Sequence, residues 1–195
     1  MELKLRLREW LRVKRRPDLS SVLKGMLTSL LVAMSLAAAA AGSLEKGEAA
    51  YFRGDYGVAM ELMQPLAEQG DTHAQFLIGF MHEKGQGVSQ DYAEAAKWYS
   101  LAAERGHAHA QNNLGVLYKN GRGVSTDYVQ AYKWFNLAAS GYLPAEAGHR
   151  ERALLNQESV ASRMTPEQIS EAQKLVQEKH SSDPDFPQYR PPRVR

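Results

Sequence analysis

Two successive thirty-six-residue segments, Gly70–Arg105 and Gly106–Gly141, are identical at seventeen aligned positions by direct count. Shared runs are Gly85-Gln86-Gly87-Val88-Ser89 with Gly121-Arg122-Gly123-Val124-Ser125, Asp91-Tyr92 with Asp127-Tyr128, Lys97-Trp98 with Lys133-Trp134, and Leu101-Ala102-Ala103 with Leu137-Ala138-Ala139. A period of that length is the mark of a stacked helical solenoid, in which each unit buries its apolar face only against its neighbours. Solenoids act mainly by presenting a surface, so the repeat directs attention to a ligand before a reaction.

Each copy reads as a helical hairpin. Ala74, Ile78 and Met81 recur at helical spacing before Gly85, and Ala110, Leu114 and Leu117 do so before Gly121. The second helix of each pair opens on a carboxylate able to cap free amides, Asp91 with Glu94 three residues on and Asp127 with Gln130. Its apolar stripe runs Tyr92, Ala95, Trp98, Tyr99, Ala102 in one copy and Tyr128, Ala131, Trp134, Phe135, Ala138 in the next. Small alanines permit close helix approach while each Trp is expected to fill the space between repeats.

Upstream, Gly54-Asp55-Tyr56 keeps the same register, so 44–69 is expected to be a shortened opening half repeat. Downstream, 144–180 stays helical without the glycines and Trp, and Thr165-Pro166-Glu167-Gln168 has the pattern of a capping box with Pro in the first turn. These helices are read as a terminal cap, and the proline- and arginine-bearing segment 181–195 as a disordered tail.

Residues 1–41 have the character of a leader. Met26 to Ala41 carries no charge, Lys24 supplies a positive flank, and five alanines precede Gly42 and Ser43, which suits signal-peptidase cleavage near Ala39–Ala41. The basic segment before it is either a long n-region or lies upstream of a start at Val22 or Met26. If the leader stayed attached, its basic residues Lys4–Arg16 would favour an anionic membrane surface. The leader holds eight basic and three acidic residues, a net of +5 against +2 for the whole chain, so the remainder is about −3. That balance argues against a nucleic-acid partner. The absence of cysteine excludes disulfides, thiolate zinc sites and an acylated lipoprotein anchor.

The quoted residues resemble the Sel1-like repeat family, a relative of the TPR solenoids. Ala74, Ile78, Gly79, Met81, Gly85, Gly87, Val88, Asp91, Ala95, Trp98, Tyr99, Ala102 and Ala103 match or nearly match the family unit. The second copy is closer, with Leu114-Gly115-Val116-Leu117-Tyr118, Gly121, Gly123, Asp127 and Trp134; His82 stands where Tyr118 would be expected. Arg163 to Ile169 is similar to the C-terminal helix that follows such repeats in exported bacterial proteins. The resemblance implies an all-α superhelix, a periplasmic or secreted monomer that binds a protein or peptide as an adaptor and requires no cofactor. Recognition of cell-wall glycan, or an adaptor tethered through an uncleaved leader, are the alternatives.

On that reading the first helix of each pair lines a concave face. Gln75, Phe76, Phe80, Glu83, Gln111, Asn112, Val116 and Lys119 are the candidate partner-binding residues, the amides because they can both donate to and accept from a peptide backbone. Phe76 and Phe80, one turn apart, can alternatively pack against the opening hairpin at 58–68. His107 and His109 with His73 have no diagnostic metal spacing and are read as exposed loop residues, so no metal site is assigned. The paired Gly-x-Gly loops follow helices and are turn glycines, not phosphate cradles. Some cysteine-rich relatives are associated with β-lactam hydrolysis, but here Ser-x-x-Lys occurs only at Ser21…Lys24 and Ser43…Lys46, without its companion elements. No catalytic residue is assigned.

Overall fold

A computed structural model describes residues 19–183, and among them every regular element is a helix. In chain order these are α1 (Leu19–Arg53), α2 (Tyr56–Glu68), α3 (Thr72–Lys84), α4 (Tyr92–Glu104), α5 (Ala108–Asn120), α6 (Tyr128–Gly141), a 3-10 turn (Pro144–Glu146), α7 (Ala147–Ala161) and α8 (Pro166–Ser182). The chain forms two compact units, Met1–Gly42 and Ser43–Arg195. In the first, α1 exposes Leu23, Met26, Leu27, Leu30, Leu31 and Met34. Among the described residues no helix is long and apolar enough to cross a membrane. Residues 1–18 of the expected leader and 184–195 of the expected tail lie outside the described residues.

In the second unit each helix packs on the next from α2 through α7, and α8 returns to lie on α6. The hairpins follow from their punctuation. Gly85 and Gly121 end α3 and α5 in the left-handed region, at φ 67° and 64°, where a side chain would be strained, and their N–H groups bond Met81 and Leu117 carbonyls. Asp91 caps α4 by accepting from Ala93 and Glu94 amides, and Asp127 caps α6 by accepting from Gln130. Thr165 and Gln168 form the reciprocal capping box expected of α8.

The copies interlock through glycine. A Cβ on Gly79 would come within 2.8 Å of the Tyr99 ring, and one on Gly115 within 2.7 Å of the Phe135 ring. Each first helix therefore offers a flat patch that receives the aromatic ring of the second. Gly87 sits on the backbone of Tyr56 and Gly123 on that of Tyr92, so the loop of each hairpin rests on the second helix of the one before. Trp134 is buried in a core shared by α4, α5, α6 and Val176 of α8, as a residue between repeats should be, whereas Trp98 is only half-buried.

Residues 43–53 of α1 close an opening hairpin with α2, Ala50 and Ala59 packing with Met81 and Gly47 lying against Met63. One sequence expectation is corrected here. The histidines at the start of α5, His107 and His109, are half-buried and not exposed. His107 is the N-cap of α5, its Nδ1 accepting the Ala110 N–H at 3.2 Å, at the repeat position where Asp71 caps α3.

Candidate functional site

The first-helix face carries an apolar cavity of about 270 Å³ lined by Glu48, Tyr51, Phe52, His73, Phe76, Leu77 and Phe80. It is built from the last turns of α1 and the body of α3, so it belongs to the joint between the first two hairpins. Tyr51 is fixed by hydrogen bonds through Gln86, which accepts from the Tyr51 hydroxyl at 3.1 Å and donates to Tyr56 at 3.0 Å. Phe52 beside it is 82% exposed. Its ring stands in solvent at the mouth of the apolar hollow.

The cavity continues along the stack as a row of rings. Phe76 stacks on His107 at 4.8 Å, His107 lies 5.8 Å from His73 and 6.0 Å from His109, and His109 meets His149 at 4.9 Å and Tyr142 at 5.0 Å. The equivalent histidines His73 and His109 each meet a carboxylate from a different element, Glu48 at 2.6 Å and Glu146 at 2.9 Å. Burial, with His73 and His109 alongside, pushes the His107 imidazole down to about 4, so it is neutral at pH 7 and free to accept at its cap. Among the described residues no group of three or more histidine and carboxylate side chains is arranged to hold a metal ion.

The eight residues assigned from sequence divide sharply. Phe76 and Phe80 line the cavity, Phe80 facing Tyr51 of α1 at 6.4 Å and Phe76 stacking on His107 of the next repeat. Gln75 and Gln111 are buried, and each Nε2 donates at 3.0 Å to the carbonyl of Ala67 or Ala103 in the preceding helix; they tie the turn between hairpins and present nothing to a ligand. Asn112 and Lys119 face α7, with contacts to Asn156 at 3.5 Å and Ser159 at 3.2 Å, while Val116 packs in the core with Phe135 and Val160. Glu83 accepts from the Tyr99 hydroxyl at 2.8 Å and pairs with Lys84. Burial and that carboxylate push the Tyr99 phenol well above its usual range, so it remains a donor.

Glu48, Tyr51, Phe52, His73 and Leu77 were not among the assigned residues. Comparison of the two copies would have singled out only Leu77, which stands against Asn113; His73 matches His109, and Glu48, Tyr51 and Phe52 lie before both copies.

The sequence model of the Sel1 repeat matches residues 35–71, 72–107 and 108–142, more than half of the chain. The chain belongs to the Sel1 repeat family. The first match begins inside the segment read as leader and gives the Sel1 protein three repeats, the first of them over the opening hairpin. Among solved structures it is similar to c5321, a protective antigen present in uropathogenic Escherichia coli strains displaying an SLR fold, at 30% identity and TM-score 0.65, over 76% of this chain and 30% of that one. It is also similar to a Sel1 repeat protein from Oxalobacter formigenes, at 30% identity and TM-score 0.54, over 70% of this chain and 55% of that one. The chain thus spans under a third of the first and about half of the second. No curated protein sequence matches it. The Sel1-repeat fold generally mediates protein–protein interaction, and such proteins are typically non-catalytic scaffolds.

Proposed function

We propose that this Sel1 protein is an exported, monomeric adaptor that holds a protein or peptide partner on its first-helix face, with the cavity between α1 and α3 as the anchoring point. The observation that carries this reading is Phe52, almost wholly exposed beside a hollow walled by Tyr51, Phe76, Leu77 and Phe80. A pocket of that kind takes one side chain of an extended segment, while the neighbouring ring row guides the rest. Export rests on the uncharged run ending in small residues ahead of Gly42. Cell fractionation with N-terminal sequencing tests it: a periplasmic or secreted chain beginning near Gly42 supports the reading, and a full-length chain held in the membrane overturns it.

The binding reading is tested by selecting a displayed random-peptide library on the full chain and on a Phe52→Ser, Phe80→Ser variant. A common motif enriched by the parent and lost with a still-folded variant is the expected result. Equal enrichment by both proteins, or no shared motif from the parent, would remove the cavity from the function.

A further inference from the structure

We infer that in the free protein this hollow is covered by the chain's own C-terminal segment, 184–195, through its aromatic pair Phe186 and Tyr189. The inference rests on the peptide-binding reading above and adds a regulation to it, since a partner would gain the site by displacing the tail.

Three observations carry it. The first is where the segment starts. Near the end of α8, Lys179 Nζ donates to the Glu104 carbonyl at 2.7 Å and to the Glu104 carboxylate at 2.9 Å. Glu104 closes α4, and the turn after it is joined to the preceding turn by the Arg105 guanidinium, which donates to the Gly70 carbonyl. Three residues beyond Glu104, His107 stacks on Phe76, a wall of the hollow, at 4.8 Å. The tail thus leaves the fold at the edge where α3 and α5 begin. Its twelve residues can extend over about 40 Å, against a path from Lys179 to Phe76 through Glu104 and His107 on the order of 25 Å.

The second is chemistry. The hollow exposes almost only apolar surface, so it suits an uncharged ring. Beyond Asp183 the large apolar side chains are Phe186, Tyr189 and Val194, set among four prolines. Prolines favour an extended backbone with three residues per turn, which would put Phe186 and Tyr189 on one side about 9 Å apart. Segments of that kind dock in aromatic-lined grooves because little of their freedom remains to be lost. Here the rings of the hollow continue from Phe76 onto His107 and His109. A cavity of about 270 Å³ has room for one ring, and Phe52 outside it offers a face to the other.

The third is charge. Arg190, Arg193 and Arg195 against Asp185 give the segment a net of +2, while residues 42–183 carry about −5. Tethering holds the segment at a local concentration of about a millimolar, so even a modest contact is mostly formed.

The chain has no cysteine, so Gln188→Cys gives a single attachment point for a nitroxide spin label. In the full chain the label should broaden the NMR signals of Phe52 and Phe80 far more than that of Phe135, to the same degree at every protein concentration. Replacing Phe186→Ser together with Tyr189→Ser should abolish the broadening and leave the thermal melt unchanged. A free peptide with the sequence of 184–195 should then bind this double variant about tenfold more tightly than the unlabelled parent, whose own tail competes with it.

Broadening that grows with protein concentration assigns the contact to a second copy and overturns the inference. Absence of broadening overturns it too. If the free peptide then shifts Phe52 and Phe80 equally in both proteins, the hollow is a peptide site with no tail over it, and the adaptor reading stands. If the peptide shifts neither, the tail is no ligand of the hollow, and the library selection decides the adaptor reading by itself.

Discussion

The edge of the Phe135 ring lies against Gly115, so close that a Cβ there would stand 2.7 Å from its Cε1. Phe135 is completely buried and has nowhere to retreat. Gly115→Ala should therefore destabilise the fold by about 1–3 kcal/mol, the usual cost of forcing atoms into a packed core. Urea denaturation would show it, and Phe135→Leu in the same chain should restore part of the loss. Full additivity of the two changes would mean that the contact is not what the glycine serves.

Gln111 makes a prediction about what is not a binding residue. Its Nε2 donates to the Ala103 carbonyl in a buried turn, a carbonyl that also accepts from the Gly106 N–H, so Gln111→Leu removes one of its bonds and should cost about 0.5–1.5 kcal/mol. Asn112→Ala, one residue on and half-buried, should cost under about 1 kcal/mol. Neither should alter which peptides the cavity selects at temperatures where the variants stay folded.

Stability should fall with acidification through His107. Its imidazole ordinarily titrates near 6.5 but is held down to about 4 by burial, with His73 and His109 adding to the effect. The unfolded chain thus binds a proton that the folded chain refuses. The contribution is complete above pH 6.5 and is lost progressively as pH drops toward 4, at most about 3 kcal/mol. His107→Asn keeps a capping side chain and removes the proton site, so the difference in unfolding free energy between pH 7.5 and 4.5 should shrink relative to the parent. An unchanged pH dependence in denaturant melts would exclude His107 as its source.

Helix α8 is the lid on the stack. It buries Ala172 and Val176 against α6 and its neighbours, and Lys179 reaches back to Glu104 at 2.9 Å. Thr165→Ala should cost about 1 kcal/mol through the lost cap. Truncation before Thr165 should cost on the order of 2–4 kcal/mol by exposing that surface. Circular dichroism melts would order the two; a truncation no worse than the cap variant would make α8 dispensable.

The repeat architecture was legible because its determinants are local. Gly85, Gly121, Asp91, Asp127 and the Thr165 box act within a turn or two of backbone, and for the glycines and aspartates a second copy confirms the first. The candidate site was legible only in part. Helical spacing identified Phe76 and Phe80 as a stripe, but spacing does not distinguish a face covered by a neighbouring helix from one left open. For Asn112, Val116 and Lys119 the difference is α7, which covers their copy and leaves the first copy's face uncovered.

Sequence alone determined the period, the hairpins, the caps and the family, because each depends on residues close together along the chain or on one copy matching the next. Tertiary structure decided which side chains line the cavity. Glu48, Tyr51 and Phe52 lie on α1 and His73, Phe76 and Phe80 on α3, and only the packing of one hairpin on another brings them to a single hollow. The same packing turns Gln75 and Gln111 inward, where their amides hold backbone carbonyls. A buried amide and a groove amide have identical chemistry, and burial, a property of the assembled stack, is what separates them.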